Sequence, residues 1–142
     1  MGNTETIIGI GIDLCDWHRV PKFDAGHPFY RMMSEGEIKY CLSKANPNKH
    51  FASCFAVREA LIKALKGYQP WMAEVEVLRE KGGAPIFIGP IPDGLDIKMS
   101  ISFEGSLSTA IVLVAGTNWF PSHRIIVINK TGNMPSAFNV CF

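Results

Sequence analysis

Thr6-Ile7-Ile8-Gly9-Ile10-Gly11-Ile12-Asp13-Leu14 reads as a β-strand. Ile8, Ile10, Ile12 and Leu14 fall on one face, and Ile7, Gly9, Gly11 and Asp13 on the other. Asp13 thus stands near the strand's C-terminal end, beside two glycines that leave room for a close neighbour. Without a third glycine, this GxG is a weak dinucleotide signal. The period changes over Phe51 to Lys66, where the spacing predicts the strongest helix. Phe51, Cys54, Phe55, Val57, Leu61, Ile62 and Leu65 fill one apolar arc. Glu59, Lys63 and Lys66 form a narrow polar stripe flanked by Ala52 and Ala56. Arg58 lies inside the apolar arc, between Leu65 and Phe51. Gly67 is read as the C′ residue that ends the helix.

The remaining elements build outward from these two. Cys15 to Gly26 reads as a helix interrupted by Pro21. Ser34-Glu35-Gly36-Glu37 is a capping box opening a helix with Ile38, Cys41, Leu42 and Ala45 on one face. Asn46-Pro47 is read as its stop. Strands are predicted over Glu74–Glu80, Pro85–Ile88, Asp96–Phe103 and Ser108–Ala115, with turns at Gly82-Gly83 and Glu104-Gly105. The apolar run Ala110–Ala115 suits a central strand, and Arg124–Ile128 is read as one more. A strand, two helices and then several strands predict an α+β fold with an antiparallel-rich sheet.

The 142 residues hold 14 Lys+Arg and 13 Asp+Glu, a net charge of +1 without the basic excess of a nucleic-acid binder. All 13 acids lie at or before Glu104, and residues 105–142 carry only Arg124 and Lys130. Residues 1–115 are therefore read as one domain and 116–142 as an apolar extension that packs on it or across an interface. No run reaches the ~18 apolar residues of a membrane span. There is no secretory start, and Met1 to Thr6 matches the myristoylation pattern only loosely. The four cysteines show no CxxC and no zinc spacing, and are read as reduced thiols of a cytoplasmic protein, largely buried as small hydrophobes.

Asp13 at a strand end and Glu59 on a helix face can together hold a hard cation such as Mg²⁺, which takes one or two carboxylates plus phosphate oxygens. Lys63 and Lys66 can hold those phosphates and neutralise a leaving group. The same spacing also suits an ordinary exposed Glu59–Lys63 i,i+4 pair, and spacing leaves both readings open.

Three stretches carry a resemblance. Gly9-Ile10-Gly11-Ile12-Asp13-Leu14, Phe55-Ala56-Val57-Arg58-Glu59-Ala60-Leu61-Ile62-Lys63-Ala64-Leu65 and Ser100-Ile101-Ser102-Phe103-Glu104 resemble the three ordered motifs of the holo-acyl-carrier-protein synthases. These are the small, single-domain 4′-phosphopantetheinyl transferases, and the likeness covers about residues 7–115. Arg31, the Ser34–Glu37 box and Gly82-Gly83-Ala84-Pro85 fit the same pattern, with Ala84 where the family has lysine.

The resemblance implies an α+β transferase of lipid metabolism, a cytoplasmic homotrimer with sites between protomers. It implies transfer of the phosphopantetheine arm of coenzyme A to a serine of an acyl carrier protein, releasing adenosine 3′,5′-bisphosphate. Asp13 and Glu59 would then ligate Mg²⁺ and Lys63 would assist departure. Arg58, Lys66, Gly67, Ser102 and Phe103 are the candidate coenzyme A contacts. His18, Arg19 and Lys22 are the candidate docking surface for an acidic carrier. The general base stays open between Glu59 and a metal-bound water.

Three departures bear on cofactor grip. Phe103 stands where the family has histidine, Arg58 where it has lysine, and Cys54 where it has arginine. Each lost charged hydrogen bond is worth roughly 1–3 kcal/mol. Two further readings are a pseudoenzyme that binds carrier or pantetheine without transfer, and a structural module whose acid-free tail makes the interface.

Overall fold

The computed structural model describes residues 5–116. β1 runs over Thr6–Asp16, two residues beyond the predicted end. Its inward residues Gly11 and Cys15 are buried, while Ile10, Ile12 and Leu14 are 60%, 62% and 53% exposed. The apolar face of the opening strand is therefore the open one. The glycine face takes the helix.

That helix, α3, runs over Pro47–Ala64, following the short helix α1 (Pro28–Arg31) and α2 (Glu35–Leu42). Gly9 and Gly11 explain how close α3 lies to β1. A Cβ at either glycine would sit 1.8 Å from the carbonyl oxygen of Ala64 or Ala60. Only hydrogen fits there.

The start of α3 corrects the sequence reading. Asn46-Pro47 does not stop the preceding helix, which ends at Leu42. It opens the next one: Asn46 accepts from the Lys49 amide at 3.3 Å and Pro47 takes the first turn, where its missing N–H costs nothing. The capping box of α2 forms as expected. The Glu37 amide donates to Ser34 Oγ at 3.1 Å, and the Ser34 amide donates to Glu37 Oε2 at 2.8 Å.

The second half is β2 (Glu76–Arg79), β3 (Pro85–Ile88), β4 (Leu95–Glu104) and β5 (Leu107–Gly116). Pro70–Glu74 forms a 3-10 turn, which shortens the predicted strand at Glu74. β2 and β3 form a separate antiparallel hairpin, while the main sheet has the order β1-β5-β4, all antiparallel. β5 is central, as its apolar run predicts. It is not buried on both faces: Ser108, Ala110, Val112 and Val114 are buried against α3, while Leu107 and Ile111 are 41% and 40% exposed. Gly105, at φ 54°, makes the β4–β5 turn.

Phe29, Tyr30, Phe51, Phe55, Val57 and Leu61 fill the core between the helices and the inner sheet face. Cys41 and Cys54 are buried free thiols, in line with their reading, whereas Cys15 is buried but disulfide-bonded, against the reading of a reduced thiol. No helix among the described residues is long and apolar enough to cross a membrane. The expected strand at Arg124–Ile128, and the apolar extension from residue 117 on, lie outside the described residues.

Candidate active site

The close approach of β1 to α3 brings Asp13 against the stripe of Glu59 and Lys63. Lys63 Nζ donates to Asp13 Oδ1 at 2.6 Å and to the Ile12 carbonyl at 3.1 Å. The Asp13 carbonyl is itself held by the Thr109 hydroxyl at 3.1 Å, which fixes the strand end. Lys63 remains 46% exposed, so its amine is pinned at its inner side and open to a ligand.

Glu59 is 3% exposed, which excludes the ordinary surface i,i+4 pair that spacing left open. Burial, with the nearby Asp13 charge adding to it, pushes its carboxyl up to about 7, and Lys63 opposes the rise. Burial also raises Asp13, against the hydrogen bond and charge of Lys63. Asp13 Oδ2 and Glu59 Oε1 are both buried without a hydrogen-bond partner. Two buried carboxylate oxygens left open, on groups near enough for Asp13 to act on Glu59, suit a hard divalent cation, the donor set Mg²⁺ takes when phosphate and water complete its shell. Among the described residues no cluster of three or more His, Cys, Asp or Glu could hold a metal alone, so other ligands must come from solvent or substrate.

At the end of α3 the structure shifts the expected cap by one residue. The Lys66 amide donates to the Lys63 carbonyl at 3.1 Å and the Gly67 amide to the Ile62 carbonyl at 2.9 Å. This is a Schellman motif with Lys66, not Gly67, at C′. Lys66 has φ 57°, the one positive-φ non-glycine among the described residues. An L-residue held there is strained. Its exposed side chain leaves the helix one turn beyond Lys63.

Arg58 stands apart from this group. Both ends of its guanidinium are held by Glu37, at 2.5 and 2.6 Å, and Nη2 also donates to the Val75 carbonyl at 3.0 Å. The candidate cofactor contact is thus the partner of the capping-box glutamate inside the core. An arginine placed within an apolar arc is the sequence signal for such a buried acid.

Ser102 lies on the exposed face of the sheet, opposite Thr109, whereas Asp13 and Ala110 face α3. Within one chain Ser102 does not meet Asp13. Phe103 does face inward, but toward the first turn of α3, where its ring centroid lies 5.9 Å from that of His50 and 4.3 Å from Lys49 Nζ.

The docking candidates are exposed, yet the helix expected to carry them is reduced to a 3-10 turn, Trp17–Arg19. Asp16 caps that turn and holds His18 Nδ1 at 3.1 Å, and Pro21 keeps the turn from extending into a helix. The Tyr30 hydroxyl, donating to the Pro21 carbonyl, fixes the break. Sequence reasoning missed the positive cluster around Phe103, because Lys44, Lys49, His50 and Arg79 come from three separate segments.

Comparisons with known proteins bear on the family and the fold. Residues 9–112 match the 4′-phosphopantetheinyl transferase superfamily. The holo-[acyl-carrier-protein] synthase of Thermodesulfovibrio yellowstonii is 37% identical over 114 residues, 76% of this chain and 98% of that one. The synthase of Cytophaga hutchinsonii is 36% identical over 125 residues, 75% of this chain and 96% of its own. Among solved structures, the Bacillus anthracis synthase in complex with CoA (3′,5′-ADP) superposes with a TM-score of 0.66 at 26% identity, covering 78% of this chain and 98% of that one. The Helicobacter pylori synthase in complex with coenzyme A gives 0.60 at 25%, covering 74% and 98%. Sequence motifs, fold and relatives thus coincide over the same span, and the chain belongs to the 4′-phosphopantetheinyl transferase superfamily, among its holo-[acyl-carrier-protein] synthases.

Proposed function

We propose that this chain moves the 4′-phosphopantetheine arm of coenzyme A onto a serine hydroxyl of an acyl carrier protein, in a Mg²⁺-dependent reaction. The observation that carries the reading is the pair of open buried oxygens, Asp13 Oδ2 and Glu59 Oε1, beside Lys63. In the reaction, the serine oxygen bonds to the β-phosphorus of coenzyme A. The bond from that phosphorus to the bridging oxygen breaks, and adenosine 3′,5′-bisphosphate leaves.

Asp13 and Glu59 would hold Mg²⁺, which when bound neutralises pyrophosphate charge. Lys63 is already fixed by Asp13 and the Ile12 carbonyl, so its amine meets the leaving phosphate without reorganisation. Lys66 adds a second cation at the helix end, with Gly67 beside it. Glu59 needs one oxygen for the cation, and its other oxygen is this chain's own acceptor for the serine proton. Arg19 and Lys22, exposed beyond β1, remain the docking surface proposed for an acidic carrier, with His18 tied to Asp16.

The open sheet face supports the homotrimer that the family likeness implies. Ile10, Ile12, Leu14, Leu107 and Ile111 are all exposed there, a patch that copies of the chain would cover. Ser102 lies on that face, so it would serve a site on an adjacent protomer.

The test is mass spectrometry of an apo-carrier protein after incubation with coenzyme A and Mg²⁺. A covalent phosphopantetheine arm is expected with the wild type and not with Glu59→Ala, whose fold is checked by circular dichroism. A carrier that binds by calorimetry without Mg²⁺ and never gains the arm would mark a pseudoenzyme instead.

A further inference from the structure

α2 and α3 pack in antiparallel register, and two pairs of side chains mark it. Glu37 of α2 meets Arg58 of α3. Cys41, one turn on in α2, meets Cys54, one turn back in α3, with Sγ–Sγ at 4.0 Å. Both steps are four residues, so the two contacts are neighbouring rungs about 6 Å apart along the helices. The buried carboxylate–guanidinium pair thus holds the register that sets the two sulfurs face to face. Neither sulfur takes part in the proposed transfer.

Cys41 and Cys54 are both free thiols and both fully buried. Among the described residues each sulfur has the other as its hydrogen-bond partner. Sulfurs at this distance are in contact, and a disulfide brings them to about 2.05 Å. Each side chain therefore advances by about 1 Å, a small adjustment between helices already packed together. The surroundings also give the two thiols different roles. The Cys41 S–H, donating to Cys54 Sγ, holds the Cys54 thiol below its ordinary range, against burial and the Glu37 charge. The charges of Arg58 and Arg79 work in the same direction as that hydrogen bond. Cys41 is pushed up by the same contact, by burial and by the charge of Cys54.

We propose that Cys41 and Cys54 form a reversible disulfide when the chain meets a peroxide, a covalent clamp between α2 and α3. The Cys54 thiolate attacks one oxygen of hydrogen peroxide and the O–O bond breaks, leaving Cys54 as a sulfenic acid. The departing hydroxide takes up the proton the thiol gave, forming water. Cys41 then attacks the Cys54 sulfur, the S–O bond breaks, and the sulfenic oxygen leaves as a second water with the Cys41 proton. In total the two thiols give up two electrons and two protons, and one peroxide becomes two waters. Loss of the Cys54 charge removes one of the influences that raise Cys41, so the first step prepares the second. Hydrogen peroxide is hardly larger than water, and local opening of a helix as short as the eight residues of α2 admits it. The cysteines stand 13 positions apart, so the bond closes a short loop and restricts the unfolded chain.

The test exposes the native full chain to hydrogen peroxide and removes the oxidant with catalase. Remaining thiols are blocked with iodoacetamide in urea, and the unreduced peptides are mapped by mass spectrometry. A cross-linked pair carrying Cys41 and Cys54, two hydrogens lighter than the separate peptides, is expected, and dithiothreitol should return both thiols. The oxidised chain should melt about 5 °C or more above the untreated chain. Cys41→Ala, its fold checked by circular dichroism, should show no such rise and should leave Cys54 as a sulfenic acid that dimedone traps. Both cysteines found alkylated after peroxide treatment overturns the proposal, as does pairing of either one with Cys15 or Cys141. So does a bond that forms only when peroxide is added in urea, or an oxidised chain that melts no higher than the untreated one.

Discussion

Glu37 and Arg58 meet through two parallel contacts, Nη1–Oε1 at 2.5 Å and Nη2–Oε2 at 2.6 Å, while the same Glu37 closes the capping box of α2. One carboxylate therefore ties the start of α2 to the middle of α3. Its side chain is fully buried and that of Arg58 is 11% exposed.

Removing the acid strands a buried guanidinium. Glu37→Ala is expected to cost about 3–5 kcal/mol in urea unfolding. The double variant Glu37→Ala/Arg58→Met should recover a large part of that loss, since no unpaired charge remains. Arg58→Lys should not be silent, because an ammonium cannot reproduce the two-point contact. Single and double losses that simply add would contradict this.

Burial of Glu59 makes stability depend on pH in a defined direction. A carboxyl raised from 4.5 to about 7 binds its proton more tightly folded than unfolded. The metal-free protein is thus expected to lose stability as pH rises from about 4.5 to about 7, by about 1–3 kcal/mol. Asp13 is shifted in the same direction. Comparing wild type with Glu59→Gln by calorimetry at pH 5 and pH 8 isolates this carboxyl. The variant should be relatively more stable at pH 8 without metal. Mg²⁺ should stabilise the wild type there, where the carboxyl is already ionised, and leave the variant nearly unaffected.

The glycine contact on α3 predicts a strong position effect. Gly11→Ala drives a methyl into the Ala60 carbonyl, 1.8 Å away, and should cost about 3 kcal/mol or more. Gly82→Ala has nothing within 4 Å and should stay within about 0.5 kcal/mol of wild type. Denaturant titration of both variants checks the contrast.

Lys66 combines strain with charge, and the two separate by substitution. Lys66→Gly relieves the left-handed backbone and should raise stability by about 1 kcal/mol. Lys66→Ala keeps the strain and should not. Both remove the amine and should raise KM for coenzyme A alike. A KM that tracks stability instead of charge would show that the amine takes no part.

How much of this was legible in the sequence depends on how local the signal was. The strand at Thr6, the capping box at Ser34 and the hairpin at Gly82-Gly83 declare themselves through short-range chemistry, and they form. Asn46-Pro47 misled because the same dipeptide can end one helix or begin the next, and only the three-residue gap after Leu42 decides between them. Asp13, Glu59 and Lys63 were legible through the three ordered motifs, since helix spacing and strand parity alone left an ordinary surface pair equally open. The partner of Arg58 and the cluster around Phe103 were not, since each joins elements distant in the chain. Arg79 meets Tyr40 across 39 positions of sequence, and no periodicity encodes that.

Strand parity in β1 couples folding to the site. Gly9, Gly11 and Asp13 share a face, so the residues that admit α3 and the residue that meets Glu59 and Lys63 are in the same phase. Slipping the strand by one position would turn Asp13 outward and press isoleucines into the Ala60 and Ala64 carbonyls. A chain that has folded at all has therefore already aligned its acid. The strand works as a proofreading key, and a well-packed protein with a miswired centre is not among the states available to it.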